Sequence, residues 1–200
     1  FNTSIIDIED RGKQKRIICS DGSFLNTDVV IIGVGIKPNI ELAISSGLKC
    51  DNGILVDVNG QTSDPHIFAV GDCSNHPNNI FKQRLRLESV QNAVEQAKSV
   101  ASGIAGNHKP YNKVPWFWSD QFDVKLQIAG LNVGFNRTVT RFGNRPGSES
   151  TWYFKDEKLL AVDAINDGTS FLIAKKLLEN KNDPEMSKLE DSSFDIKALL

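Results

Sequence analysis

The stretch DVVIIGVGIKPN, residues 28–39, sets Val29, Val30, Ile31 and Ile32 on consecutive positions and closes them with Gly33-Val34-Gly35. A run that is apolar on both alternations predicts a strand covered on both faces, which is the habit of parallel or mixed α/β sheets rather than of half-solvated ones. Upstream, SIIDI and KRIICS alternate as ordinary strands, and Asp21-Gly22 marks a hairpin turn after them. Downstream, Pro38-Asn39 leads into a short helix over 40–46. Two further strands, ILVDV at 54–58 and HIFAV at 66–70, flank a turn at Thr62-Ser63-Asp64-Pro65. The reading is α/β.

The strongest helix is predicted over 87–105. Val90, Ala93, Val94, Ala97, Val100, Ala101 and Ile104 recur at steps of three and four and form one apolar stripe, expected to face the core. Gly106 and Pro110 end it, and the alanines would admit a sheet or a ligand closely. From about residue 113 the pattern changes to short strands near 124–130, 136–142, 150–155 and 158–165. A helix, GTSFLIAKKLLEN, follows with Asp167 or Thr169 as N-cap, and a charged tail after Pro184 ends in a short helix. This part reads as a separate small α+β unit.

Composition narrows the field. The chain of 200 residues is 40% hydrophobic, enough to bury a core. A net charge of −2 argues against a general nucleic-acid or membrane-surface binder. Cys19, Cys50 and Cys73 contain no C-x-x-C pair, so a reducing cytoplasmic setting is expected. The first residue is Phe1 and the one methionine is Met186, from which a longer parent polypeptide is expected. His66, His76 and His108 lack the spacing of a metal site and are expected in turns or on the surface. No G-x-S-x-G, H-E-x-x-H or P-loop supports a hydrolase or kinase.

Four places carry chemistry, each with a plainer reading beside it. Gly33-Val34-Gly35 after the buried run allows a ligand near the backbone, or is a tight turn; Pro38 stands where a dinucleotide fingerprint has its third glycine. Gly71-Asp72, at the carboxyl end of a strand, offers an acceptor for ribityl or ribose hydroxyls, or is an Asx-turn. The helix start at Glu88-Ser89-Val90 points free N–H groups and a positive dipole end at whatever lies before it, as any helix start does. In VPWFWSDQ, Trp116 and Trp118 share one face of an extended segment and Phe117 takes the other; composition alone favours core packing for them.

In this order, DVVIIGVGIKPN, TSDPHIFAVGDC, RLESVQNAVEQA and VPWFWSDQFDVKLQIAGL resemble the C-terminal half of an FAD-dependent NAD(P)H:ferredoxin or rubredoxin reductase, the oxygenase-coupled type of the pyridine nucleotide-disulphide oxidoreductase superfamily. The resemblance implies the end of an NAD(P)H-binding domain (1–45), the second half of a doubly wound FAD-binding domain (46–112) and a small α+β C-terminal reductase domain (113–200). It implies that Gly33, Val34 and Gly35 line the NAD(P)H site, and that Gly71, Asp72, Glu88, Ser89, Val90 and Trp118 hold FAD, with Trp116 and Phe117 left to packing. Electrons would pass from NAD(P)H through FAD to an acidic iron–sulfur ferredoxin or a rubredoxin, met by basic residues among which Lys98 and Lys125 stand first and Lys82, Arg84 and Arg86 follow. No side chain is required as a general acid or base, and no metal, nucleic acid or membrane is implied. A complete member carries two G-x-G-x-x-G units and this chain neither, so a missing N-terminal half would be its first partner, and the isolated piece is expected to be inactive. The alternatives are a relative with a quinone or ascorbate-radical acceptor, the apoptosis-inducing-factor branch, or a non-catalytic truncated interaction module. Nothing like the catalytic His of the disulfide-reductase relatives appears in VPWFWSDQ.

Overall fold

Residues 2–143 and 145–200 are described by a computed structural model. Their contacts divide into two units, Phe1–Lys37 and Pro38–Leu200.

The first unit is an antiparallel sheet of β1 (Ile5–Asp10), β2 (Lys15–Cys19) and β3 (Phe24–Thr27), joined in sequence order. Gly22, at φ 82°, makes the predicted turn between β2 and β3. The expected strand at 29–32 does not form. Val29, Ile31 and Ile32 are 71%, 93% and 68% exposed. The physical reason is that a run apolar on both faces forms a strand only between neighbours that hydrogen-bond it, and none of the described residues pairs with this one.

The second unit opens with α1 (Glu41–Ser45), as predicted, and a small sheet of β4 (Ile54–Leu55), β5 (Ser74–Asn78) and β6 (Gln83–Leu85). β4 and β5 are parallel and β5 and β6 antiparallel, so the sheet is mixed. The strands expected at 54–58 and 66–70 shrink to β4 and to a single bridge between Gln61 and Phe68. In their place the Asp57 carboxylate accepts from the N–H groups of Asn59 and Gln61, closing a turn that backbone bonds between Asp57 and Gln61 and between Gly60 and Asp57 also hold.

Next comes α2 (Val90–Ile104), capped by Ser89, whose Oγ accepts from the Asn92 N–H at 3.2 Å. Its apolar stripe is not its inner face. Val90, Val94 and Ile104 are exposed, while Gln91, Asn92 and Gln96 are buried together with Val100. The amides can be buried because most of their polar atoms are hydrogen-bonded inside the unit, which removes the usual cost.

The rest is a five-stranded antiparallel sheet in the order β7 (Trp116–Gln121), β8 (Val124–Gly130), β11 (Lys158–Ile165), β10 (Glu149–Lys155) and β9 (Arg137–Phe142). α3 (Gly168–Asn180) lies against β8 and β11, and α4 (Met186–Glu190) against β9. Trp152, Phe154, Leu159, Val162, Phe171, Ile173, Leu177 and Leu189 form its core. Asp167 is the N-cap of α3, accepting from the Ser170 N–H at 3.1 Å. Gly130 has no substitute: its φ is 84°, and a Cβ there would stand 2.1 Å from the Leu160 carbonyl oxygen. The sheet and α3 match the strands and helix expected after residue 113. No helix among the described residues is long and apolar enough to cross a membrane.

Candidate functional site

The predicted site residues of the second unit gather around the two ends of one connection, from the turn after Val70 to the start of α2. Gly71 opens a single 3-10 turn, Gly71–Cys73, with φ at 79°, a conformation that an L side chain resists. A Cβ on it would press to 3.4 Å from the Ala93 Cβ, so the turn lies directly on α2, with a small residue at the contact.

Asp72 presents its carboxylate to solvent. The Asp72 carbonyl accepts from Arg86 Nη1 at 3.2 Å, and the same nitrogen donates to the Glu88 carboxylate at 2.7 Å. Arg86 therefore ties the Asp72 turn to the entry of α2, and its Nε donates to Asn52 Oδ1 at 3.2 Å. Ser89 is occupied as cap. Val90, the first helical residue, is 61% exposed, and its N–H has no acceptor within the helix.

A cavity of about 410 Å³ opens where this helix start meets β7 and α3. It is lined by Val90, Val94, Lys113, Trp116, Trp118 and Lys175. Trp116 and Trp118 face the same side, with ring centroids 5.4 Å apart and planes at 32°. Trp116 also packs on Phe171 at 5.8 Å and lies under Lys175 Nζ at 5.4 Å. Phe117, on the opposite face, is 43% exposed. Gln91 lines the same cavity, and its Oε1 is buried without a hydrogen-bond partner among the described residues.

Not every expected residue gathers there. Gly33, Val34 and Gly35 belong to the first unit, in exposed backbone without regular structure; Gly35 has φ 99°, and Val34 is 89% exposed. Lys98, exposed on α2, is paired with Glu95 at 3.0 Å, and Lys125, at the β7–β8 hairpin, with Asp120 at 3.6 Å. Lys82 is exposed. Arg84 is spent on structure: Nη2 donates to the carbonyls of Val56 and Asn75, and Nε to Asn75 Oδ1.

His76 departs from its expected place. His66 and His108 are exposed, but His76 lies in β5 at 2% exposure, with Nδ1 2.8 Å from Gln96 Nε2 and its ring edge-on to Tyr111 at 5.1 Å. Burial, reinforced by the Arg84 charge, lowers its pKa to about 4. Burial likewise raises that of Tyr111 to about 12; its hydroxyl donates to Asn92 Oδ1 at 3.1 Å. Sequence reasoning missed Gln91, Gln96, Lys175 and the cavity-lining part of Trp116. A signal for the two glutamines was present, since with Asn92 they share a polar stripe at helical spacing.

Known proteins bear on this geometry. A model of the pyridine nucleotide-disulphide oxidoreductase family matches residues 1–97, and one described as reductase C-terminal matches 116–200. Putidaredoxin reductase CamA of Pseudomonas putida is 37% identical over 96% of this chain and 45% of its own length. Rhodocoxin reductase of Rhodococcus erythropolis is 39% identical over 94% and 44%. The ferredoxin reductase for the CYP199A2 system of Rhodopseudomonas palustris superposes with a TM-score of 0.92 at 40% identity, over 98% of this chain and 49% of that one. A covalent putidaredoxin reductase–putidaredoxin complex gives 0.91 at 36% identity, over 98% and 48%. The chain thus spans about half the length of the curated relatives it matches.

Proposed function

We propose that this chain, whose residues 1–97 match the pyridine nucleotide-disulphide oxidoreductase model and 116–200 the reductase C-terminal one, is the C-terminal half of an NAD(P)H-dependent FAD reductase serving a ferredoxin- or rubredoxin-type protein in the cytoplasm. Its parts would be the end of an NAD(P)H-binding domain (1–45), the second half of the FAD-binding domain (46–112) and the reductase domain (113–200).

The observation that carries this reading is the cavity in which the free N-terminal turn of α2 at Val90 meets the indole of Trp118. The residues fit FAD by their chemistry. Asp72, an exposed acceptor, suits the hydroxyls of a ribityl chain and would repel bare phosphate. The unused N–H groups and positive dipole end at Val90 suit a carbonyl that gains negative charge on reduction. Trp118 supplies a flat apolar wall, while Arg86 with Glu88 fixes the spacing between the two polar contacts. When bound, FAD supplies hydride acceptance and single-electron donation, and the protein supplies orientation and electrostatics. Gly33, Val34 and Gly35 let the nicotinamide nucleotide approach the backbone. Lys98 and Lys125 steer an acidic acceptor, weakened in that task by Glu95 and Asp120 beside them.

The test is to purify the polypeptide encoded by the complete reading frame and follow NAD(P)H oxidation with and without an iron–sulfur acceptor. Turnover that depends on ferredoxin or rubredoxin and falls with rising salt is expected. A flavoprotein that reduces a quinone or a disulfide and ignores both proteins would contradict the proposal.

A further inference from the structure

Behind the Gly71–Asp72 turn lies a buried polar chain. Gln96, 4% exposed and one helical turn beyond Asn92, accepts with Oε1 from the Gly71 N–H at 2.7 Å, and the single proton of the Ser74 hydroxyl is shared between that Oε1 at 2.8 Å and the Gly71 carbonyl at 2.9 Å. Its Nε2 lies 2.8 Å from His76 Nδ1. Ser74 and His76 are 0% and 2% exposed, so no solvent competes for these groups.

The chain has a fixed polarity. A backbone N–H only donates, so the amide oxygen must face Gly71 and the amide nitrogen must face His76. That nitrogen donates to Nδ1, which must be bare, and the imidazole proton therefore sits on Nε2. Nε2 has no protein partner among the described residues, and His76 is among the residues, with Tyr111 and Ser99, that line a cavity of about 10 Å³. Were the proton on Nδ1 instead, two donors would meet, the amide would turn over, and the Gly71 N–H would face an NH₂ group.

We infer that Gln96 is a positioning residue for the flavin site: oriented by the Gly71 N–H and backed by His76, it holds Gly71 in the left-handed conformation that presents the Asp72 carboxylate. Neither side chain touches the ligand. The inference rests on the flavin reading of that turn.

The test uses the complete polypeptide stripped of FAD and titrated with FAD alone. Gln96→Met keeps the volume and loses the acceptor, and is expected to raise the FAD dissociation constant at least about tenfold, the worth of a hydrogen bond to a positioned backbone group. Gln96→Glu keeps the acceptor toward Gly71, its second oxygen accepting from His76 once the imidazole carries a proton on Nδ1 in that variant, and is expected to stay within about threefold, a rescue that mere packing would not give. Equal loss in both variants, or loss in neither, overturns the inference. Should Gln96→Met fail to fold, the nitrogen-15 spectrum of His76 in the unsubstituted protein decides: a proton on Nε2 and a bare Nδ1 are expected, and a proton on Nδ1 overturns it. Asp72→Ala separates the two levels. If it weakens FAD binding and Gln96→Met does not, the positioning role alone fails; if Asp72→Ala leaves binding unchanged, the flavin reading fails and takes the inference with it.

Discussion

Trp118 and Trp116 lie side by side on one strand, yet their surroundings differ. Trp116 is wedged against Phe171 and roofed by Lys175, whereas Trp118 has the cavity and Trp116 for company. Trp118→Ala gives up one ring pair, about 0.5–1.5 kcal/mol beyond the area that the half-buried indole covers. That is a few degrees of melting temperature in a chain of this size. In the complete reductase the rate of flavin reduction by NAD(P)H is expected to fall about tenfold or more, the equivalent of some 1.4 kcal/mol in the barrier. A large loss of melting temperature with turnover intact would return Trp118 to packing. His76 makes a separate prediction. Its folded pKa of about 4 lies below the 6.5 of the free side chain, so the unfolded chain takes up a proton that the folded one refuses. This contribution is fully favourable above about pH 6.5 and is lost as the pH falls toward 4, at up to about 1.4 kcal/mol per unit. Urea midpoints at pH 7, 5.5 and 4.5 should therefore drop less steeply for His76→Gln than for the parent; parallel slopes would refute the assignment.

At the scale of elements, α2 joins both halves of the candidate site, touching the Gly71 turn at Ala93 and the tryptophan cavity at Val90 and Val94. Its start is held by Ser89, and Ser89→Ala should cost about 1 kcal/mol, seen as a lower urea midpoint with an unchanged slope. An unchanged midpoint would mean that Arg86 and Glu88 fix the helix start without the cap. The position and ends of this helix were legible in the sequence, but its inner face was not. Hydrophobic periodicity pointed to Val90, Val94 and Ile104, while Gln91, Asn92 and Gln96 are the residues inside. Periodicity reads only the gain from burying carbon; it cannot see that Gly71, His76, Leu87 and Tyr111 supply partners that make amides cheap to bury. His76 was misjudged for the same reason. The strands after residue 113 posed no such difficulty, because β10 and β11 alternate or run apolar against α3, and local pattern and tertiary burial agree.

Across the described residues a closed core stands beside exposed apolar surface. The sheet of β7 to β11 with α3 has a closed core around Trp152 and Phe154, both 0% exposed. Outside that core large apolar residues stand in solvent in both units: Ile31 and Val34, 93% and 89% exposed, in the first, and Val90, Ile104 and Phe142, 61%, 69% and 79% exposed, in the second. The apolar run at 29–32 is exposed and unpaired among the described residues, against the strand expected there, since a strand is a property of its neighbours as much as of its own residues. Such surface fits a chain that spans about half the length of its relatives, and the family assignment followed from motif order where no single motif sufficed. The proposed flavin site is built by Asp72 and the start of α2. Its most direct test is the FAD dissociation constant of the complete polypeptide beside that of its Asp72→Ala variant. The account predicts a flavoprotein whose affinity falls by about ten- to a hundredfold when the charged acceptor is removed, the range for hydrogen bonds to an ionised group; a protein without flavin, or equal affinity in the two, would contradict it.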